Sequence, residues 1–561
     1  MGGTFSSSSS SSPSPNKREK RRSATSSRSG RPRFSLSSEK TFVPPESNAK
    51  LKDSEPLSPQ RTPVFLGIVD HCNSADAAEA YKQFLHDFPD YKLTWIVDTL
   101  RHTDFGRLSE HGETYVDYMG GALYPESLIR VHTDFLSRNI FGSPHSVGNS
   151  SSLSTRCAEE ARAAVLSFFN ASPDEYTVIF TPNATGGLKL IGESYPFTEG
   201  STYMLPCDAH NSVHGIREFA MRNGAHVSYI PSPPTGGVDL TTAHRMLFRY
   251  QPNSPGAAPS LFVLTAQSNI TNAKSPLSIL RYASALGYHT VLDAAALAPT
   301  STISLTDYPV DAMVVSFYKM MGFPTGVGAL IAKKSFLGQL YRPWFSGGNV
   351  EVVQVPGEVV TLSSELHEQF EDGTINYLSL MAVSDGLRFL SAYMPFLPLR
   401  LSCLSQYLIA ALSELRYENS DTTVVRILSC KPTRRLKTVG AQSDVGSVIS
   451  LVFLTPSGSM LPNSFIAHAA SRMCISLRTG CMCNPGGAAA LLGIEDAMPQ
   501  LYDGVTLEDL ERAVGHETGV VRLSFGLASN FQDAWNVLRF ARTMGQAEER
   551  MALWAGWLAT L

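Results

Sequence analysis

The sequence predicts an α/β fold in which a mostly parallel sheet is covered by helices on both faces. Between about residues 176 and 316, short apolar β-favouring runs alternate with segments of helical periodicity. The 561 residues are 43% hydrophobic, which is ordinary for a globular chain and sufficient for two or three lobes. Polar residues follow several predicted strands, and α/β sheets bind ligands at the carboxyl ends of their strands.

The first 60 residues differ in composition from the rest and are predicted to be a disordered segment, 1–60. Residues 1–40 contain nine Lys and Arg against two Glu, a balance of +7, so the remainder carries −11 to give the net −4. A chain rich in serine, proline and basic residues buries too little apolar surface to fold. The basic run 16–22 is interpreted as a solvated tail, with a nuclear signal or a phosphate-binding arm as alternatives. The first six residues match a minimal myristoylation pattern.

The folded part is predicted to have a large α/β domain at 61–395, a smaller α+β domain at 396–545 and a C-terminal tail at 546–561. In the large domain, helical periodicity covers 75–107, 125–140, 153–169 and 376–393, and a short strand begins at Tyr115. Its sheet strands are predicted at 176–181, 202–206, 226–230, 260–265, 289–293 and 312–316. The smaller domain is predicted to contain a loop insertion at 430–446, a strand at 448–454, and helices at 463–471 and 531–544.

The sequence has no apolar run long enough to span a bilayer and no short apolar core that resembles a secretory signal. We therefore expect a cytoplasmic protein without a membrane span, and we predict no nucleic-acid partner. Apart from Cys481 and Cys483, the eight cysteines are scattered along the chain. This distribution favours reduced thiols over a disulfide framework.

Lys319 follows a predicted buried strand and precedes a stretch rich in glycine. Burial disfavours a charged amine, so it lowers the pKa of lysine and makes the amine nucleophilic. Such a lysine can hold the aldehyde cofactor pyridoxal phosphate (PLP) as a Schiff base. The alternative is a strand-end lysine whose amine reaches solvent. Ser316, three residues earlier, could donate a hydrogen bond to the cofactor phosphate.

Three further stretches supply parts that a PLP site needs. Asp293 ends a predicted strand and could keep the pyridine nitrogen protonated, although it could instead cap the following helix. The stretch 181–187 lies between a strand and a helical run, where backbone N–H groups and the hydroxyl of Thr185 could hold a phosphate. His210 could stack on the cofactor ring and move protons, although a lone loop histidine more often does neither.

Cys481 and Cys483 lie on a glycine-bounded loop after a predicted strand. A thiolate on a flexible loop suits sulfur transfer. A C-x-C pair can also be part of a metal site, but no second Cys or His pair has the spacing of a zinc site, so no metal is predicted. Arg522 lies in a strand-like run and could bind a carboxylate, or it could form a structural salt bridge.

Together these motifs resemble the cysteine desulfurases of the class V, fold-type I family of PLP-dependent enzymes, in particular the N-terminal sulfurase domain of molybdenum cofactor sulfurases. The resemblance covers about 110–530 and implies a mostly parallel seven-stranded sheet in the large domain. The motifs that carry it are YVDYMG at 115–120, NIFGSPHS at 139–146, SFYK at 316–319 with PTG at 324–326, FEDGT at 370–374, and LRTGCMCNPG at 477–486.

The resemblance implies how the cofactor would be held. Lys319 would form the Schiff base and then act as a proton shuttle. Asp293 would pair with the pyridinium nitrogen, and His210 would stack on the ring. Thr185 and Ser316 would hold the phosphate.

It also implies roles for residues around the cofactor. Thr374 would reach the phosphate from the partner subunit of a homodimer, and Asn269 would approach the phenolic oxygen of PLP. Arg522 would bind the carboxylate of the substrate L-cysteine. A loop cysteine would attack the substrate sulfur, giving alanine and an enzyme persulfide. Cys483 aligns with this thiol better than Cys481 does, because it directly precedes the Asn-Pro-Gly turn.

The chain departs from general cysteine desulfurases at Tyr318, where they have histidine, and at Ala296, where they have glutamine. Both differences resemble the molybdenum cofactor branch, so the implied sulfur acceptor is the molybdenum cofactor or its carrier. Members of that branch often have a further cysteine where this chain has 487–488, and they usually continue into a C-terminal domain, whereas this sequence ends at Leu561. The alternatives are another class V aminotransferase or lyase that acts on an amino acid, and a catalytically inactive binding or regulatory homologue.

Overall fold

A seven-stranded sheet forms the centre of the large lobe in the computed structural model, which describes residues 75–252, 256, 258–418 and 420–560. Six strands run in the same direction, and Gly328–Lys333 is antiparallel to both of its neighbours. This arrangement confirms the predicted seven-stranded, mostly parallel sheet. From edge to edge the strands are Tyr176–Thr181, Gly328–Lys333, Ala312–Ser316, His289–Asp293, Leu261–Thr265, Thr202–Pro206 and His226–Ile230.

The strand Gly328–Lys333 is the one whose position the sequence pattern did not reveal. It directly follows a stretch rich in glycine, and its two alanines have low β-propensity, which hides it from a pattern search. It is joined to Ala312–Ser316 by the short segment 317–327. An antiparallel arrangement follows because a parallel connection needs a crossover of a dozen or more residues.

Helices cover both faces of this sheet. Along Ala312–Ser316, Met313 and Val315 belong to one hydrophobic cluster, whereas Ala312 and Val314 belong to the other. The strand is therefore buried on both sides, as in doubly covered α/β sheets. The helices of the large lobe are Glu126–Arg138, Asn149–Phe168, Ala184–Ser194, Asn211–His214, Ile216–Arg222, Leu240–Arg249, Ser278–Ala285, Phe317–Met321, Lys334–Leu337 and Leu380–Tyr393.

A second sheet of four antiparallel strands forms the smaller lobe. Its strand order is Val425–Ile427, Val448–Phe453, Val520–Ser524 and Arg478–Gly480. The predicted insertion at 430–446 contains neither helix nor strand. The helices of this part are Leu397–Glu414, Asn463–Arg472, Pro485–Leu492, Leu507–Val514, Phe531–Gly545 and Ala547–Leu558.

The first described helices pack against this C-terminal part. Helices Ala75–Asp87, Trp95–Asp104 and Arg107–Glu110 precede the short strand Thr114–Tyr115, and that strand pairs in parallel with Ile475–Ser476. A buried ion pair of 2.8 Å joins Arg101 to Asp533, in the closing helix. The described residues belong to one compact unit, so the boundary at 395/396 remains a prediction.

The structure describes the predicted C-terminal tail up to residue 560 but not the predicted disordered segment 1–60. Part of the predicted tail is the helix Ala547–Leu558, and its Trp554 packs against Phe465 with ring centroids 4.7 Å apart. The disordered segment, the basic run and the myristoylation pattern lie outside the described residues. Within the described ranges no single helix is long and apolar enough to span a bilayer. The helices Leu380–Tyr393 and Leu397–Glu414, which are bent relative to each other, are together as long and as apolar as a membrane span.

Candidate active site

A pocket at the carboxyl ends of the main-sheet strands brings together six of the candidate residues. Each lies at the end of a different strand or just after it, except that Ser316 and Lys319 follow the same one, Ala312–Ser316. This placement explains why residues far apart in sequence can act on one ligand. The six residues are Thr185, His210, Asn269, Asp293, Ser316 and Lys319.

Lys319 lies in the first turn of the helix Phe317–Met321, directly after a fully buried strand. Burial lowers the pKa of Lys319, and the positive charges of Arg522 and Arg478 lower it further, while Asp293 opposes the shift. A lower pKa leaves more neutral amine near neutral pH, which is the nucleophilic form.

The N-terminus of the helix Ala184–Ser194 forms a polar end of the pocket. The backbone N–H of Ala184 donates to Ser316 Oγ at 2.9 Å. The hydroxyls of Thr185 and Ser212 are hydrogen-bonded to each other at 2.8 Å. Hydroxyl groups and a helix dipole at one point are suited to a phosphate group.

His210 and Asp293 lie along the rest of the pocket. His210 Nδ1 accepts a hydrogen bond from the Ser212 N–H at 3.1 Å, so the neutral ring carries its proton on Nε2. Burial lowers the pKa of His210, Lys319 lowers it further, and Asp293 opposes the shift. Asp293 Oδ1 accepts from the Ala295 N–H at 3.1 Å. The described residues after Asp293 form turns at 295–300 and no helix, so this bond is a turn contact and the helix cap considered as an alternative is absent.

Two residues that the sequence analysis did not select also line the pocket with buried polar atoms. Thr265 Oγ1 and both amide atoms of Gln267 have no hydrogen-bond partner among the described residues. Leaving such a group unsatisfied costs about 1–3 kcal/mol, which a polar ligand would recover. These atoms, with the buried amine and the helix N-terminus, fit a phosphorylated aromatic aldehyde such as PLP. Thr265 ends the strand Leu261–Thr265 and Gln267 follows it by two residues, and this position at a strand end is the signal by which the sequence could have identified both.

Arg522 lies outside this pocket and takes part in a buried ion pair. Its Nη2 is 2.6 Å from Asp117 Oδ1, and its Nη1 donates to the Asn269 carbonyl at 3.1 Å. Arg478, which pairs with Arg522 across the smaller sheet, donates from Nε to Asp117 Oδ2 at 2.9 Å. The structural salt bridge considered in the sequence analysis is therefore present. Arg522 Nε has no partner among the described residues.

The two candidate thiols differ in their surroundings. We call residues 481–484 the thiol loop. Cys483 is exposed, and both it and Met482 have positive φ values, 55° and 57°. Cys481 is half-buried beside Thr518, with its sulfur 3.8 Å from the hydroxyl oxygen, and burial raises the pKa of its thiol. The more accessible thiol is that of Cys483.

Thr374 is exposed and does not line the pocket of its own chain. The preceding motif is nevertheless firmly attached to the large lobe. Glu371 forms a buried ion pair of 2.8 Å with Arg162 and accepts a hydrogen bond of 2.7 Å from the Phe180 N–H. The approach of Thr374 to a site in a partner subunit stays a prediction.

The described residues contain no cluster of three His, Cys, Asp or Glu side chains that could hold a metal ion. The cysteines within the described ranges are all free.

Comparison with known families and curated proteins gives consistent matches. Residues 114–427 match the family described as aminotransferase class-V. The molybdenum cofactor sulfurase of Bos taurus is 35% identical over 462 residues, covering 79% of this chain and 51% of the relative. The molybdenum cofactor sulfurase of Arabidopsis thaliana is 31% identical over 497 residues, covering 82% of this chain and 60% of the relative. The chain spans about half the length of such relatives.

Solved structures match the fold at lower sequence identity. An apo cysteine desulfurase from Thermococcus onnurineus superimposes with a TM-score of 0.62 and 21% identity, covering 79% of this chain and 96% of the other. The cysteine desulfurase CsdA from Escherichia coli also gives 0.62, with 20% identity and coverage of 80% and 98%. At this identity, the likeness establishes the fold.

Proposed function

We propose, from the premise that this chain belongs to the aminotransferase class-V family, that it is a PLP-dependent cysteine desulfurase of the molybdenum cofactor sulfurase type. The observation that carries the proposal is the position of the thiol loop beside the pocket. Asn269, which lines the pocket, donates from Nδ2 to the Met482 carbonyl at 2.7 Å. The loop that carries the exposed Cys483 thiol is thereby attached to a residue of the pocket that contains Lys319.

The residues of the pocket would supply a contact for each part of PLP. Ser316, Thr185 and the helix N-terminus would hold the phosphate, Asp293 would face the pyridine nitrogen, and His210 would lie against the ring. When bound through Lys319, PLP supplies a ring that withdraws electrons from an attached amino acid.

The side chains of this protein would then carry out the sulfur transfer. Lys319 would hold and release a proton, because burial lowers its pKa and makes the neutral amine easier to form than in an exposed lysine. The Cys483 thiolate attacks the sulfur of L-cysteine, so that an S–S bond forms and the C–S bond of the substrate breaks. The electron pair of the broken bond stays on carbon and takes up a proton. L-Cysteine and one enzyme thiol thus give alanine and one enzyme persulfide.

We assign the substrate carboxylate to Arg522, whose Nε is buried and without a partner among the described residues. The Nε–H of this guanidinium would donate a charge-assisted hydrogen bond to the carboxylate, while Nη1 and Nη2 bond to Asn269 and Asp117. We further propose that the protein is a cytoplasmic homodimer, and that it passes sulfur to the molybdenum cofactor or its carrier. The support for this acceptor is the name of the curated relatives, of which the chain spans about half.

The first test is to incubate the PLP-loaded protein with L-cysteine. We expect alanine and, by mass spectrometry, a persulfide on Cys483. Cys483→Ser should abolish the persulfide and leave the visible absorbance of bound PLP unchanged, because Cys483 is exposed outside the pocket. Cys481→Ser is the matched control and should retain the persulfide.

The opposite result for the two serine variants would move the acceptor thiol to Cys481. If the protein yields neither alanine nor persulfide nor sulfide, desulfurization is excluded. A second candidate, another aminotransferase or lyase, is favoured by Arg522 and Arg478, since an arginine serves the carboxylate of any amino acid. Spectral changes of bound PLP with a different amino acid would then identify it, whereas a protein that takes up no PLP would be an inactive homologue.

A further inference from the structure

The thiol loop is joined to the large lobe by a small cluster of buried polar side chains that includes Asp208. Asp208 follows the strand Thr202–Pro206 and is 2% exposed. It does not line the pocket, and none of the roles assigned above uses it. A buried carboxylate is costly unless its oxygens are fully hydrogen-bonded, so its position requires an explanation.

Both oxygens of Asp208 accept two hydrogen bonds. Oδ1 accepts from the Ser268 hydroxyl at 2.6 Å and from Asn484 Nδ2 at 2.7 Å. Oδ2 accepts from the Gly237 N–H and from the Thr271 hydroxyl, each at 2.7 Å. An ionised carboxylate can accept all four bonds, whereas an amide of the same shape has only one accepting atom.

Asn484 connects this carboxylate to the reactive part of the loop. It is fully buried and directly follows Cys483. Besides its bond to Asp208, Asn484 Nδ2 donates to Asn269 Oδ1 at 3.0 Å. That contact turns the Nδ2 group of Asn269 toward the loop, where it donates to the Met482 carbonyl.

The backbone of Cys483 itself is held from the same side. Its carbonyl accepts a hydrogen bond of 2.7 Å from the N–H of Asn211, the residue after the pocket histidine His210. Two consecutive carbonyls of the loop, at 482 and 483, are therefore bonded to residues that line or adjoin the pocket. The Cys483 side chain stays exposed while its backbone is fixed.

We propose that Asp208 is a positioning residue that, through Asn484, holds the thiol loop so that the Cys483 thiol faces the pocket. The inference rests on the proposed desulfurase function for its effect on the reaction. Its structural content, that Asp208 orders the loop, is independent of that function. Positioning of this kind matters because a displacement of about 1 Å at a reacting group can lower a rate by about 100-fold.

The test compares Asp208→Asn with the wild-type protein. The new amide leaves donors of the cluster facing an NH₂ group, so the loop should be released. In the protein without PLP, we expect faster hydrogen exchange over 481–488 and a changed rate of alkylation of Cys483. In the PLP-loaded protein, we expect persulfide formation to slow by about 10- to 100-fold, with the absorbance of bound PLP and the KM for L-cysteine nearly unchanged.

Asp533→Asn is the matched control, because Asp533 is another buried carboxylate that accepts several hydrogen bonds, and its partners Arg101 and Asn530 belong neither to the thiol loop nor to the Asp208 cluster. It should lower overall stability without changing exchange over 481–488. Asn484→Ser provides a second variant in case Asp208→Asn fails to fold. Serine can still cap the helix Pro485–Leu492 as Asn484 does, but it is too short to reach Asp208.

The proposal would be overturned if hydrogen exchange over 481–488 and the alkylation rate of Cys483 in Asp208→Asn equal those of the wild type. If that variant does not fold, the same comparison is made with Asn484→Ser. A loss of PLP absorbance equal to the loss of persulfide formation would also overturn it, since that result would place the effect in the cofactor pocket. If the wild-type protein forms no persulfide, the proposed function fails. The exchange and alkylation experiments would still decide the role of Asp208.

Discussion

At the scale of single residues, the charged side chains around Lys319 are joined to one another by ion pairs. Asp117 accepts hydrogen bonds from both Arg478 and Arg522, so one carboxylate holds two guanidinium groups near the lysine. Both positive charges lower the pKa of Lys319, in addition to burial. Arg478 is the more accessible of the two, with a side chain that is 52% exposed against 2% for Arg522.

Replacing Arg478 with Gln should raise the pKa of Lys319. Removing the positive charge eases protonation of the amine, and it leaves Asp117 less neutralised, which acts in the same direction. Because only the neutral amine attacks an aldehyde, the rate of PLP linkage should rise with pH around a higher midpoint than in the wild type. The measurement is the growth of visible absorbance after the protein without cofactor is mixed with PLP at a series of pH values.

Arg478→Lys retains the charge and serves as the control, with a midpoint near that of the wild type. A Gln variant whose midpoint stays unchanged, or moves to lower pH, would contradict the electrostatic role of Arg478.

At the scale of elements, the edge strand Tyr176–Thr181 is protected by a buried ion pair. Arg162 Nη1 donates to the Val178 carbonyl, and Glu371 accepts from the Phe180 N–H at 2.7 Å. The two side chains thus occupy backbone groups that an edge strand would otherwise present to another chain. The same pair attaches the motif that carries Thr374 to the helix Asn149–Phe168.

Replacing Glu371 with Gln should destabilise the protein by about 3–5 kcal/mol, because the Arg162 charge would remain buried without its counterion. Glu159→Gln removes the other acidic partner of Arg162, and the side chain of Glu159 is 56% exposed. Its expected cost is about 1 kcal/mol or less. The midpoints of urea unfolding would measure both effects, and equal shifts for the two variants would refute the importance of the buried pair.

At the scale of the whole molecule, three loop segments of the large lobe expose large apolar side chains. Val147 is 99% exposed, Val355 85% and Tyr341 80%. The segments that carry Val147 and Tyr341 meet at Gly373, whose N–H donates to the Gly347 carbonyl and whose carbonyl lies 3.2 Å from His145 Nε2. Contiguous apolar surface is typical of interfaces between chains, and we propose that these side chains contribute to the interface of the homodimer.

Subunit complementation tests whether Thr374 acts in the partner's site. Lys319→Ala and Thr374→Val subunits should each form homodimers that are impaired in desulfurization. If Thr374 acts across the interface, a mixed dimer has one intact site, formed by Lys319 of one subunit and Thr374 of the other. Mixing the two variants should therefore restore up to half of the activity per mixed dimer.

The control for complementation is a double variant with Lys319→Ala and Thr374→Val in one chain. Mixed with wild-type subunits, it leaves no site with both residues intact if Thr374 acts in trans. Failure of the first mixture to recover activity, with mixed dimers present by native mass spectrometry, would exclude that Thr374 acts in the partner's site. If the protein is a monomer in solution, Thr374 cannot act in a partner's site and that proposal fails.

Much of the site could be predicted because its residues stand at strand ends. Lys319, Asp293 and Ser316 each follow an apolar run, and this local pattern also predicts where the sheet ends. The contacts of Asp208 had no such signal. A buried aspartate that accepts four hydrogen bonds looks, in sequence, like an ordinary loop residue, because its partner Asn484 is far away in the chain. The Asp117 pair with Arg522 likewise depends on how the two lobes meet.

The sequence by itself determined the alternation of strands and helices, the lysine after a buried strand and the two thiols between glycines. These features are local, since they follow from the periodicity and chemistry of adjacent residues. Only the tertiary structure decided the antiparallel strand Gly328–Lys333 and the accessibility of Cys483 relative to Cys481. It also decided the attachment of the thiol loop to Asp208 and Asn269. The physical reason is that hydrogen bonds and burial between distant segments depend on packing, which no short stretch of sequence encodes.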